Sequence, residues 1–362
     1  VCGRRFADAR DHGGTVSAAT RAPRLAVVGA SSLIGEALIE RLREQKFARS
    51  ALHLLDDARE LGRPAVGTDD GEGDVKIGDV ATFDFSSVDL AFFCARAAVA
   101  EAYADAAAQH AWVIDASSAF RGRADVPLVV ADVNGADLAA RAAESRGLIA
   151  LPGSASTALA TVLAPLHGLA GLMRADVATY QAVSGSGRAA MEGLAAETVD
   201  LLGGRTTKRH RFGKQIAFNV IPQVDSLDAD GVSLEERRLT TETRRILALP
   251  QLALNATAVR VPVFFGHSFA IHASFERDCD VASASAVLRR SNGVALIEAD
   301  SATGFPTPAT EALAPDKVYV GRLRVDTTRD RSLNFWVVAD NVRKCAAFNA
   351  FSTAQILVNR AQ

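Results

Sequence analysis

The chain has 362 residues, 49% hydrophobic and 23% charged, with a formal net charge of −2. That length accommodates two domains with a sizeable core, and the near-neutral balance gives no electrostatic footprint for nucleic acid or an anionic membrane. No apolar run reaches the roughly 18 residues that span a bilayer, so membrane insertion is not expected.

Cys2, Cys94, Cys279 and Cys345 are widely spaced without a CxxC pair. This argues against disulfide or zinc frameworks and for a reducing compartment, so no metal is expected and the cytoplasm is the expected location. Residues 1–23, VCGRRFADARDHGGTVSAATRAP, have no apolar core and several Arg. They read as a disordered tail. The alternative is the remainder of an organelle-targeting segment, which would place the protein in the mitochondrial matrix.

The stretch RLAVVGASSLIGEALIERLREQ reads as a buried strand, Leu25–Val28, a glycine turn and an amphipathic helix. Gly29 follows the strand and Gly35 falls inside the helix, where a dinucleotide fold needs glycine for the turn and for helix–strand contact. The helix N-terminus would receive the pyrophosphate. Ser32 stands where such turns carry a middle glycine, and its Cβ crowds a diphosphate, so an inherited turn without nucleotide is the alternative. The next strand, ALHLLDD, closes on Asp56 and Asp57. An acid there suits an adenosine ribose and repels a 2′-phosphate, which favours NAD, whereas Arg59 favours NADP; acids capping the next element are the alternative.

VDLAFFCA, the helix AAVAEAYADAAAQ, AWVIDASSAF, PLVVADVN and GLIALPG continue the alternation to residue 153 and imply a doubly wound parallel sheet. Arg121, in a Ser-rich turn, either forks onto an anionic ligand or faces solvent. LPGSAST, Leu151 to Thr157, then places Ser154 between an apolar run and the helical ALATVLAPL. Such a turn presents a nucleophile, retains the remnant of one, or supplies a helix cap.

From about residue 175 longer alternating strands point to a mixed or antiparallel sheet, with VSLEERRLTTETRRILAL as a charged amphipathic helix between them. In RVPVFFGHS, Arg260 and His267 stand seven residues apart, and the Gly266 turn exposes His267 to a cleft. Histidine suits a base near neutral pH, with a structural histidine as the alternative. GGRTTKRHRFGK reads as a solvated loop. The final helix, VRKCAAFNAFSTAQILVNRAQ, has an apolar face. The expected domains are 24–153 with 341–362, for a dinucleotide, and 154–340, for substrate and dimerisation.

Together VVGASSLIG, VIDASSAFRGRADVPLVVADVN, TYQAVSGSGRAAM, EERRLTTETRRIL, VRVPVFFGHS and FWVVADNVRK resemble the aspartate-semialdehyde dehydrogenase family over roughly residues 24–360. The resemblance implies a Rossmann-like parallel sheet plus an α+β dimerisation domain with a mixed sheet, hence a homodimer. It implies an activity in which a cysteine attacks an aldehyde, hydride passes to NADP and phosphate cleaves the thioester. It also implies that Gln181 orients the nucleophile, that His267 is the base, and that Arg260 pairs with the substrate carboxylate. Glu242 would hold the substrate amino group, and Arg121 with Arg245 would hold phosphate. Gly29, Ser31, Ser32, Gly35, Asp56, Arg59 and Asn341 would line the site for NAD or NADP.

The family writes the nucleophile turn as Pro-Asn-Cys-Ser-Thr, eleven residues before a proline. Counting back from Pro165 reaches Ser154, preceded by Gly153. A thiol of pKa about 8.5 ionises readily at a helix N-terminus, whereas a serine hydroxyl needs full base assistance. Phe269 takes a position that the family keeps polar, and Cys345 one that it keeps as glycine. The pattern is similar to the Usg-type paralogue branch, which also carries Ser in this turn. The expectation is therefore a catalytically impaired homologue in which Ser154 is a remnant that caps its helix. Such a protein would serve as a dimeric scaffold, within a larger assembly or not, or bind a small anionic amino acid or phosphate. The alternative is an active NAD(P)-dependent oxidoreductase, or an acyl-transfer enzyme using Ser154, Gln181 and His267.

Overall fold

A computed structural model describes residues 22–45, 52–58, 61, 76–140, 146–206, 211–298, 304–313 and 316–358. The expectations for residues 1–21, Arg59 and part of the Arg205–Lys214 loop lie outside them.

The first sheet holds β1 (Leu25–Val28), β2 (Leu52–Asp56), β3 (Gly78–Asp79), β4 (Leu90–Phe93), β5 (Trp112–Asp115) and β6 (Gly147–Ala150), ordered β3-β2-β1-β4-β5-β6. Every pairing is parallel. A parallel sheet is covered on both faces, and β1 shows the result in its two-residue period. Leu25 and Val27 enter one core with α1 (Leu33–Glu44), while Ala26 and Val28 enter another with α2 (Ala97–Ala107). PLVV is not a strand: Leu128 makes one isolated bridge to Ala150, and Ala131–Asn134 forms a short helix, α3.

Helix α4 (Ser154–Ala170) leads into a second sheet of β7 (Leu172–Gln181), β8 (Ala253–Arg260), β9 (His267–Phe275), β10 (Val294–Leu296), β11 (Val318–Val325) and β12 (Ser332–Ala339). Its order is β10-β11-β12-β9-β7-β8, with β7–β8 and β10–β11 parallel and the rest antiparallel. Helix α5 (Arg188–Leu202) follows β7. Helices α4, α6 (Leu234–Ile246) and α7 (Val281–Arg290) cover one face, with Leu159, Leu163, Leu239 and Leu288 meeting Phe269, Phe335 and Val337. Phe269 and Cys345 are plain core residues.

The chain returns to the first sheet through a π-helical segment, Arg343–Phe348, and α8 (Asn349–Val358). Phe348, Phe351, Ala354 and Leu357 pack with Leu25 and Val27. Asn349 clamps the junction, accepting from the Ala131 amide at 2.8 Å and donating to the Val129 carbonyl at 3.0 Å.

Candidate functional site

A cavity of about 630 Å³ lies between the two sheets, lined by the turns after β1, β4 and β6 on one side and by the ends of β7, β8 and β9 on the other. In an open α/β sheet the carboxyl ends of the strands are where ligands bind.

On the first wall, Gly29 has φ +83°, and a Cβ there would sit 2.5 Å from the Ala95 nitrogen. A Cβ on Gly35 would lie 2.1 Å from the Gly29 carbonyl oxygen, so both positions need glycine. Ser32 is the N-cap of α1. Its Oγ accepts from the Gly35 amide and donates to the Cys94 carbonyl, both at 2.9 Å, so its side chain closes the turn. Asp56 is buried and accepts from the Ser31 amide at 3.1 Å and from the Ser31 hydroxyl at 2.6 Å. Beside it Asp57 pairs with Arg96. A nicotinamide dinucleotide fits this turn at its diphosphate. The Leu33 and Ile34 amides open the helix without an acceptor among the described residues, and both residues line the cavity.

The LPGSAST turn differs from its expected geometry in one respect. The N-cap of α4 is Gly153, which has no side chain to cap with, and Ser154 is the first helical residue. A residue with helical backbone angles cannot turn its hydroxyl onto the amides two and three places on, whereas the extended residue before it is placed to cap. The Ser154 hydroxyl has no hydrogen-bond partner among the described residues and lines the cavity. Glu242 accepts from the Gly153 amide at 2.8 Å, and its other oxygen is buried without a partner, 3.7 Å from Arg121 Nη1. Arg121 gives Nε to the Leu151 carbonyl and Nη2 to the Ala116 carbonyl, leaving Nη1 toward Glu242 and the cavity. Arg245 donates to the carbonyls of Arg121 and Val126. Glu242 and Arg245 thus stand behind the Ser154 turn, outside the cavity lining.

The second wall carries Gln181, Arg260, His267 and Asn341, each buried and each lining the cavity. Arg260 Nη1 donates to the Ala182 carbonyl at 2.7 Å, while its Nε is buried without a partner. Burial lowers its guanidinium to about 10, which leaves it charged at neutral pH. His267 Nδ1 accepts from the Ala182 amide at 3.2 Å. The ring proton is therefore on Nε2, and the cavity meets a donor. Burial first, and the Arg260 charge second, push the imidazole down to about 3, so the ring is neutral. Asn341 accepts from the Gly266 amide at 3.0 Å and bonds Ser184, tying the β9 entrance to the return of the chain.

Among the cavity residues that the sequence does not mark are Glu235 and Arg238. Their spacing could have found them. Positions 235, 238, 242 and 245 follow an i, i+3, i+7, i+10 rhythm, so alternating charges share one side of α6. Burial raises the Glu235 carboxyl above the usual carboxylate range.

A parallel sheet with a glycine turn open to a diphosphate, joined across a cavity to a mixed sheet, defines a two-domain dehydrogenase architecture. Residues 24–141 match the family described as semialdehyde dehydrogenase, NAD binding domain, and residues 163–344 the family described as semialdehyde dehydrogenase, dimerisation domain. The chain is 40% identical over 334 residues to an aspartate-semialdehyde dehydrogenase of a Shewanella species, covering 92% of this chain and 96% of that protein. It is 38% identical over 336 residues to a USG-1 protein homolog of Pseudomonas aeruginosa, at 92% and 97% coverage. The crystal structure of aspartate semialdehyde dehydrogenase II from Vibrio cholerae superposes with a TM-score of 0.88 at 36% identity, covering 94% of this chain and 99% of that one. This chain belongs to the aspartate-semialdehyde dehydrogenase family. Among the described residues no helix is long and apolar enough to cross a membrane.

Proposed function

We propose that this protein is a family member in which Ser154 occupies the position of the nucleophile, that acyl transfer is impaired, and that the protein acts as a dimeric ligand-binding or structural subunit. The observation that carries this reading is the isolation of the Ser154 hydroxyl. Among the described residues it bonds to nothing, and the histidine that lines the same cavity carries its free nitrogen as a donor, not a base. A hydroxyl attacks a carbonyl only while a base removes its proton. A thiol at the same helix N-terminus would ionise without that help.

The ligand expected is a small anion, an amino acid carboxylate or phosphate. Arg260 carries charge with Nε unpartnered among the described residues, and His267 and Arg121 line the same cavity. Residues 24–153 with 341–362 would hold NAD or NADP, which supplies hydride chemistry when bound, and residues 154–340 would hold the substrate and the partner copy. The site is weakened for a dinucleotide at the ribose and not at the diphosphate, because Ser31 holds the Asp56 carboxylate that a ribose would need. Pairing through the open face of the second sheet is supported by its apolar trough of about 430 Å³, walled by Phe305, Pro306 and Trp336. The cytoplasm is the proposed location.

The second reading, an active semialdehyde dehydrogenase, is favoured by the retention of Gln181, Arg260 and His267 around one cavity. The deciding experiment follows NAD(P)H formation from aspartate semialdehyde and phosphate, with the natural protein beside its Ser154→Cys variant. The impaired reading expects the natural protein at the blank rate and the variant at least about a hundredfold above it. Turnover by the natural protein above blank would establish the second reading instead.

A further inference from the structure

The side-chain amide of Gln181 has two ends of opposite chemistry, and its surroundings decide which one the cavity meets. Nε2 donates to Glu235 Oε1 at 2.9 Å and to Thr179 Oγ1 at 3.3 Å. Both N–H bonds are therefore engaged. Oε1 is left without a partner among the described residues, and Gln181, Glu235 and Ser154 all line one cavity. The two partners do not count equally. A threonine hydroxyl donates or accepts and would tolerate either orientation of the amide; at Glu235 the Gln181 hydrogen bond and the Arg121 and Arg260 charges act against burial in favour of the ionised form, which only accepts.

Glu235 is itself held in place by its neighbour. Glu236 accepts from the Ser233 amide at 2.7 Å and receives the Ser233 hydroxyl on its own amide at 3.2 Å, forming the capping box of α6. Its other oxygen accepts from the Ala258 amide of β8 at 2.8 Å. The first turn of α6 is thus pinned to the strand that ends in Arg260, and Glu235 is carried to the cavity by that attachment.

We infer that Glu235 is a positioning residue that fixes the Gln181 amide so that its carbonyl oxygen, and not its NH2 group, faces the group at position 154. This rests on the reading above only in placing the reacting group at Ser154, and does not depend on whether the protein turns over. The consequence is chemical. An acceptor beside position 154 favours a proton-bearing hydroxyl or thiol, and a donor there would favour the anion. Gln181 then orients a proton and does not stabilise an oxyanion, a task that needs donors.

The test uses the Ser154→Cys protein as a reporter, reading the thiol pKa from the pH dependence of iodoacetamide alkylation. Adding Glu235→Gln frees the amide to turn its NH2 toward the thiolate, and the thiol pKa is expected to fall by about one unit. Removing a negative charge would lower it too, so two further proteins separate the causes. Glu235→Asp keeps the charge but withdraws the carboxylate by one methylene, and a fall is still expected; it also serves if Glu235→Gln fails to fold. In a Gln181→Met background the fall is expected to vanish. An unmoved pKa in both Glu235 variants overturns the inference, as does a fall that persists undiminished without Gln181. Loss or gain of dehydrogenase turnover moves neither outcome, so the two proposals fail separately.

Discussion

The two walls of the cavity handle their polar groups differently. On the first wall the side chains around the β1 turn satisfy one another, Ser31 with Asp56, Asp57 with Arg96, and Ser32 with Gly35 and Cys94, and Arg121 gives Nε and Nη2 to two carbonyls, while the Ser154 hydroxyl stays without a partner among the described residues. On the second wall Gln181 Oε1, His267 Nε2 and Arg260 Nε have no partner among the described residues, although their residues are buried and line the cavity. Leaving a buried polar atom unpaired costs about 1–3 kcal/mol, a cost that Arg260 Nε bears at this wall. The first wall teaches how a turn is stabilised. The second shows where binding remains open.

The largest expected effect would break the first wall. Gly35→Ala places a Cβ 2.1 Å from the Gly29 carbonyl oxygen, a backbone atom that cannot move aside without shifting α1. A loss of about 3 kcal/mol, or failure to fold, is expected in urea denaturation. The same wall contains a costly charge. Asp115 is fully buried at the end of β5, and burial raises its carboxyl to about 6 although Ser117 donates to it twice. The native state therefore binds this proton more tightly than the unfolded chain, and stability is lost as pH rises from about 4 through 6. Asp115→Asn should stabilise by on the order of 1–3 kcal/mol at pH 8, with the gain vanishing near pH 4; equal gains at both would refute the assignment.

The second wall makes a contrasting prediction. With His267 neutral and Arg260 charged, calorimetric affinity for inorganic phosphate or aspartate should follow only the ligand's own ionisation between pH 5.5 and 8.5. A step near pH 6.5 belonging to the protein would show His267 titrating and would restore it as a base. The smallest effect is Ser32→Ala, which removes the α1 cap and should cost about 1 kcal/mol while leaving the second wall untouched.

Much of this architecture was legible in the sequence, because β1, its turn and α1 combine a continuous apolar run, a glycine and a helical period. The finer site was legible only in part. Gly153 and Ser154 are both acceptable N-caps, and the backbone of a single residue decides between them. Arg245 carries the right donors, but a sequence counts donors without showing that two carbonyls take them. Glu235 and Arg238 carry no mark of a site in the sequence, because charges on a helix ordinarily face water. The π-helical segment had no compositional mark at all.

That last segment has a consequence for how the chain closes. Arg343–Phe348 winds more slowly than an α-helix, so it absorbs one residue more than an α-helical connection of equal rise. Asn341 precedes it at the cavity, and Asn349 follows it at the clamp on residues 129–131. The slow turn sets the angular phase between the two asparagines, as a gear tooth sets the timing of two wheels.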